Sequence, residues 1–357
     1  MTGFRRGKRA LVVAVTALAA AGGAVLATGV GDAGADISDG FSLVVAPPMK
    51  VLSEERSPDG SVRKHVRFGP ITAAPGSGDD HGGGDPGHGG MGPMHGPTEP
   101  MHGTHTMVWA PMLAPCTNCY ITSSDHELVN PDGSEANVDT GVMLHHVVQF
   151  DKSRQDVSCG RTGVGLAGRR IFSSGNERVP DEFPPGYGVK VGLLPLFHFD
   201  AELMNMSSEP KQVYFDITTT HVPAGTPGMR EVTPLWLDLA NCGTSTHSVP
   251  VGEWHRSWDW TSTIAGTVKA VGGHLHDGGQ SLTLSDQSTG ATICQSTARY
   301  GTRPQYLGHL DWMTPCVGQD VGRIARGDTL RLDSHYHSGH ADDHAMSIMT
   351  LYVAEQE

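Results

Sequence analysis

Val142-Met143-Leu144-His145-His146-Val147-Val148-Gln149-Phe150 reads as a β-strand, closed off by Gly141 on one side and Asp151 on the other. The rest of the chain from Val108 onward repeats this character. Short apolar or alternating runs are separated by Gly, Pro, Asp and Asn, with no long helical periodicity between them. Such runs cover Val189–Phe199, Gln212–Thr220, Leu235–Leu239, Thr263–Val271, Ser281–Ser285, Ala291–Thr297, Thr329–Ser334 and Ser347–Val353. Many short strands with frequent turn signals predict an all-β chain built of sandwiches. About 250 residues is long for one sandwich and suits two. Pro223-Ala224-Gly225-Thr226-Pro227 is the expected connector. The expectation is two consecutive antiparallel β-sandwich domains, jelly-roll-like, over residues 108–225 and 226–357.

Upstream the chain changes. Residues 36–107 form an N-terminal extension with a short strand-like piece at Gly40–Ala46. Within it, residues 74–106 are low-complexity, dense in Gly and Pro and without apolar periodicity, so disorder is expected there. The same stretch carries His81, His88, His95, His102 and His105 among Met91, Met94 and Met101, with Met107 just beyond it. It reads either as a flexible linker or as a loose copper-capturing arm, since Met and His are the copper-selective side chains.

Arg5, Arg6, Lys8 and Arg9 precede an apolar Ala- and Val-rich run, Ala10–Val30, and Ala33-Gly34-Ala35 fits a small-x-small cleavage site. Residues 1–35 are therefore expected to be an export signal, which makes the mature protein secreted or extracytoplasmic with no membrane attachment. The rival is an uncleaved anchor, because the apolar run is roughly long enough to span a bilayer. Removing residues 1–35 takes away four basic residues and one acid, Asp32, leaving 21 basic against 37 acidic residues and a net charge of −16. Nucleic acid is excluded as a partner on this balance, since phosphate contacts need clustered Lys and Arg. The sequence does not indicate an oligomeric state.

Six cysteines remain: Cys116, Cys119, Cys159, Cys242, Cys294 and Cys316. An even count in an exported chain suggests disulfides. Cys116-x-x-Cys119 also has the spacing of half a zinc site or of a redox pair, but the sequence holds no second such pair.

Three clusters of soft metal ligands stand out: Met143-Leu144-His145-His146-Val147, Gly273-His274-Leu275-His276-Asp277 and Asp342-Asp343-His344-Ala345-Met346. Imidazoles with a thioether suit copper cycling between Cu(II) and Cu(I). His274 and His276 alternate correctly for one face of a strand. His145 and His146 do not, and share a metal only if the backbone is irregular there, as at a bulge. Otherwise one of them is an ordinary polar residue. His198, in Leu194-Pro195-Leu196-Phe197-His198-Phe199, reads by itself as a hydrogen-bonded core histidine. Met346 opens the last strand, where Met usually fills core. Met349 is its close competitor, and His335, His337, His340 and His344 crowd the preceding loop.

The order of these motifs resembles the type II copper, ascorbate-dependent monooxygenases, of which peptidylglycine α-hydroxylating monooxygenase and dopamine β-monooxygenase are the familiar members. The resemblance covers about Cys116 to Val353. It implies two β-sandwich domains, each holding one copper, facing each other across solvent. It makes His145, His146 and His198 ligands of the first copper, and His274, His276 and Met346 ligands of the second. The positions of Cys119 and Cys159 resemble a family disulfide. Cys294–Cys316 is then expected as a local bridge, which leaves Cys116–Cys242.

The chain also departs from the family. Where the family carries an acidic pair and a cysteine around the methionine, the run here is His344-Ala345-Met346-Ser347, so the disulfide anchoring that loop is missing. The peptide-gripping positions are occupied by Gly272, Ile348 and Thr350. A peptide ending in glycine is therefore not the expected substrate.

The resemblance implies an exported monooxygenase that hydroxylates a C–H bond of a small organic molecule with O2. Two copper ions and ascorbate or an equivalent reductant would serve it, with no catalytic side chain beyond the metal ligands. The alternative is a non-catalytic extracytoplasmic copper-binding or storage protein on the same fold. A structural double sandwich would leave the motif histidines unexplained. A zinc hydrolase would need a carboxylate ligand or base, for which only Asp277 and Asp343 lie close by.

Overall fold

Thr104-His105-Thr106-Met107-Val108-Trp109-Ala110 alternates strictly between buried and half-buried positions. A pleated strand turns successive side chains to opposite faces. Val108 and Ala110 thus enter a core while His105 and Met107 face the other way. The computed structural model describes residues 41–76 and 103–356. The expected export signal lies outside the described residues, as do His81, His88, His95 and His102 with Met91, Met94 and Met101. Among the described residues the architecture is all-β, with no α-helix and only short 3-10 turns.

Four sheets carry the fold. The first runs in the order Phe41–Val45, Thr104–Met112, Phe197–Asn205, Val142–Asp151, Arg169–Gly175. The second runs Arg230–Glu231, Tyr187–Val191, Cys119–Val129, Lys211–Pro223, Val62–Ala73, Met49–Arg56. These two close on each other through Phe199, whose ring lies 4.8 Å from that of Phe68 and 4.9 Å from that of Phe215. The third sheet orders Thr233–Asp238, Asp342–Glu355, Gly266–Leu275 and Cys316–Ile324. The fourth orders Gly252–Thr261, Thr329–Ser338, Gly279–Asp286, Ala291–Tyr300 and Leu310–Met313. Leu282, Leu284, Leu330, Leu332, Leu351 and Val353 fill the second core between them.

Among the described residues pairing is antiparallel except for Phe41–Val45 on Thr104–Met112 and Arg230–Glu231 on Tyr187–Val191.

The Asp342–Glu355 strand joins the two sandwiches. It is buried without interruption from Ala345 to Ala354, as a strand covered on both faces must be. Ala345, Met349, Leu351 and Val353 belong to the second core. Met346 and Ile348 meet Trp236 and Val148 on the other face, while Tyr352 and Ala354 join the first core. The Tyr352 hydroxyl donates to the Ile171 carbonyl at 3.1 Å and lies 2.7 Å from Asp181 Oδ1. The described residues all fall in one compact unit.

Three expectations are corrected. The described part of the expected extension 36–107 is not separate from the first sandwich, because Met49–Arg56 and Val62–Ala73 are strands of its second sheet and Phe68 and Ile71 are in its core. The run Val189–Phe199 is two strands in different sheets, broken at Gly192–Leu196. Pro195 there lacks an amide donor, and Leu193, Leu194 and Leu196 are exposed. The disulfides are Cys116–Cys119, Cys159–Cys242 and Cys294–Cys316. Only the last follows the expectation. Cys116 and Cys119 close on each other at the entry to a strand. Cys159 instead reaches the segment after Thr233–Asp238 and ties the two sandwiches together.

Candidate metal centre

His145 is the extra residue of a β-bulge. In the pairing of Val142–Asp151 with Phe197–Asn205, His146 stands opposite Glu202 and Leu144 opposite Leu203, so His145 has no partner. A bulge bends the strand and re-aims a side chain. It brings the two imidazoles together, with Nδ1 atoms 3.2 Å apart and ring centres 5.3 Å apart. Glu202 reaches the same place, its Oε2 3.3 Å from His146 Nε2 and its Oε1 3.7 Å from His145 Nδ1. From the next strand His105 hydrogen-bonds Glu202 Oε1, and its ring centre is 5.3 Å from that of His145. One ligand atom from each of His105, His145 and Glu202 fits within a 4.8 Å span.

The opposite wall comes from the third sheet. His274 and His276 share one strand face, with ring centres 5.3 Å apart, and the His276 ring lies edge-on 4.8 Å from His145. His274 Nδ1 is 3.0 Å from Glu177 Oε1, and His276 Nδ1 is 3.8 Å from Asp342 Oδ2. In both rings Nε2 is buried with no hydrogen-bond partner. A buried nitrogen without a partner is costly. A carboxylate on one ring nitrogen with the other left bare is the arrangement that orients a metal-ligating histidine. These residues therefore fit a bound metal.

Gly175, opposite His146 on the neighbouring strand, allows the close approach. A Cβ there would lie 2.7 Å from His274 Cε1 and 2.6 Å from Glu177 Oε2.

The protonation states suit ligation. Burial holds His145 well below the usual histidine range, with the nearby His276 adding to the effect, and lowers His146 to about 4. Burial would raise the Glu202 carboxyl. The His105 hydrogen bond and the adjacent His146 and His145 outweigh it and hold the group well below the usual carboxylate range. Neutral imidazoles beside an ionised carboxylate are the metal-binding forms.

His145, His146, His274 and His276 are thus brought together, and the solvent gap expected between the two ligand sets is closed by their contact. Met346 lies on the adjoining strand, on the face it shares with Ile348, which is paired with His274. Its competitor Met349 points the other way, into the second core. His198 is not part of the group. It stacks on Phe150 at 4.7 Å near Trp109, and four residues of strand, roughly 13 Å, separate it from Glu202. Burial lowers its pKa to about 4. In place of His198, the structure puts His105 and Glu202 beside the His145–His146 pair. The sequence places His105 in the low-complexity stretch, puts Asp342 in the Met346 cluster without a role, and leaves Glu202 and Glu177 unmarked. The visible signal was the alternation on either side of His105, and an acid in the otherwise apolar Ala201-Glu202-Leu203.

Beside His274 a cleft of about 540 Å³, counting its open mouth, is lined by Glu177, Asp181, Gly272, Gly273 and Thr350. Burial raises the Asp181 carboxyl to about 7.

Residues 202–356 match a family model described as Stress up-regulated Nod 19. Among curated proteins the chain is similar to "Probable copper-dependent oxygenase M1" of Phoma sp., 29% identical over 233 residues, covering 62% of this chain and 58% of that one. It is also similar to "Probable copper-dependent oxygenase clz3" of Cochliobolus lunatus, 29% identical over 217 residues, covering 58% and 67%. The match thus spans little more than half of the first relative's length. The major capsid protein P2 of bacteriophage PM2 aligns with a TM-score of 0.31 at 13% identity, over 70% of this chain and 92% of that one, a likeness too slight to carry an argument.

Proposed function

We propose that this chain is an exported copper-dependent oxygenase acting on a C–H bond of a small organic substrate, with ascorbate or an equivalent reductant. The observation that carries the reading is the meeting of His145 and His146 with His274 and His276, the latter two with bare Nε2 atoms backed by carboxylates. The similarity to proteins named as copper-dependent oxygenases supports the choice of metal and reaction. Export is supported by the basic and apolar N-terminal segment and by three disulfides.

His145 and His146, with His105 and Glu202, would hold one copper, and His274 and His276, with Met346, a second. Bound copper would supply the one-electron and dioxygen chemistry, which belongs to the metal rather than to the protein. Glu177 hydrogen-bonds His274 and would fix its ring orientation, while Asp342 stands 3.8 Å from His276 Nδ1 as a nearby negative charge. A thioether beside two imidazoles favours the reduced metal. His274 and Gly272 both line the cleft, and a Cβ on Gly272 would meet no atom within 4 Å, which leaves room for a substrate beside that wall.

The test is copper titration of the metal-free full chain, then oxygen uptake with ascorbate. Copper binding with uptake that collapses in His274→Ala is expected. Met346→Leu conserves volume and should cost less than about 1.5 kcal/mol of stability, yet it should depress uptake strongly. Copper binding without uptake under any reductant would leave a copper-binding protein. No copper binding would remove the reading altogether.

A further inference from the structure

A second group of metal-ligating side chains stands on the outer face of the fourth sheet, away from the centre described above. In the pairing of Gly252–Thr261 with Thr329–Ser338, Glu253 faces His337 and His255 faces His335. Residues two apart on a strand share a face, so these four side chains form a square on one surface. His335 Nε2 is 2.7 Å from Glu253 Oε2, and His337 Nδ1 is 2.9 Å from Glu253 Oε1. The His255 and His335 rings are stacked 4.1 Å apart. One ligand atom from each of Glu253, His255 and His335 falls within 4.8 Å of the others. Ligands held about 2.1 Å from one ion stand roughly 3–4 Å apart, so small rotamer adjustments complete a site.

The alternating residues Ser334 and Tyr336 point inward, and Tyr336 is fully buried in the second core. That core lies between this square and the third sheet that carries His274 and His276. Exposed ion pairs contribute little to stability, so folding does not account for three imidazoles and a carboxylate gathered on one face.

We propose that Glu253, His255 and His335, with His337 at the rim, bind one divalent transition-metal ion. The ligand set is imidazole and carboxylate, with no thiolate or thioether, which selects a borderline dication such as Zn(II) or Cu(II) and not Cu(I). Glu253 is 61% exposed and His335 33% exposed, so the ion keeps open positions for water or an incoming ligand. The site is independent of the oxygenase reading.

The test uses Zn(II), which is redox-silent, in equilibrium dialysis with the full chain. The variants are His255→Ala/His335→Ala, the polar pair His255→Asn/His335→Asn, and His274→Ala/His276→Ala. Each outer variant should melt, without metal, at the wild-type temperature and bind one ion fewer per chain, or bind that ion at least tenfold more weakly. The inner variant should keep that ion. Wild-type stoichiometry and affinity in both outer variants would overturn the proposal. So would loss of the same ion in the inner variant.

Discussion

At the residue scale, Gly175 decides how closely the two walls of the centre meet. It is the neighbour of His146 across one strand pair and touches the space of His274 and Glu177. Gly175→Ala would set a methyl group against the His274–Glu177 pair, whose role is to aim the bare Nε2. Disturbing such outer partners of a ligand typically costs 10–100-fold in metal affinity. A weakening of about tenfold or more in copper binding is expected, with the metal-free melting temperature changed by only a few degrees, read by copper titration and thermal melting. Unchanged affinity would show that the approach of His274 is not limited by Gly175. His274 and His276 were legible in the sequence because their spacing of two is a local property. Glu177 and Asp342 were not, because nothing in the neighbourhood of either residue says which ring it will face.

At the element scale, the bulge at His145 is the feature the sequence could pose only as a condition. Adjacent histidines share a site if the register slips, and the slip depends on the facing strand, where Glu202 and Leu203 take His146 and Leu144 as partners. The N-terminal strands show the opposite failure. Val62–Ala73 alternates well enough, with Val66, Phe68, Ile71 and Ala73 buried. The Gly- and Pro-rich tract that follows it nevertheless drew residues 36–107 into one apparent extension.

A chain beginning at Val108 should therefore fail to fold. It would strip Val62–Ala73 from Lys211–Pro223 and expose that edge, along with the cavity left by Phe68 and Ile71. Loss of single large core side chains costs about 2–5 kcal/mol each, and several go at once. Gel filtration and circular dichroism of that fragment beside one beginning at residue 41 read the outcome. A folded, monomeric 108–357 fragment would contradict the second sheet as described.

At the scale of the whole molecule, pH dependence of stability reports on the buried neutral histidines. His126 lies between the sheets of the first sandwich, stacked near Phe215, with Gln149 Nε2 2.6 Å from its Nε2. Burial lowers its pKa from 6.5 to about 3. Between these values the unfolded chain binds a proton that the folded chain refuses, so stability is full above about pH 6.5 and falls as the pH drops toward 3. The slope from this one group reaches about 1.4 kcal/mol per pH unit. Denaturant midpoints of the metal-free protein at pH 7 and pH 5 should differ more in wild type than in His126→Leu/Gln149→Leu. That variant also strips the buried Ser124 hydroxyl of both side-chain partners, a loss that lowers stability alike at the two pH values and leaves their difference to report on His126. Equal differences would place His126 in contact with solvent.

Alternation, turn residues, His-x-His spacing and cysteine count are properties of neighbours along the chain, and they suffice to predict an all-β protein carrying metal-ligand motifs. Which histidines meet was decided only by the tertiary structure. His145 and His276 are carried by different sheets and touch because one face of Asp342–Glu355 and its neighbours packs on the first sandwich. The same packing left His198 against Phe150, brought in His105 and Glu202, and joined Cys159 to Cys242. Contacts of that range depend on how whole faces bury their apolar surface, and no local pattern records the result.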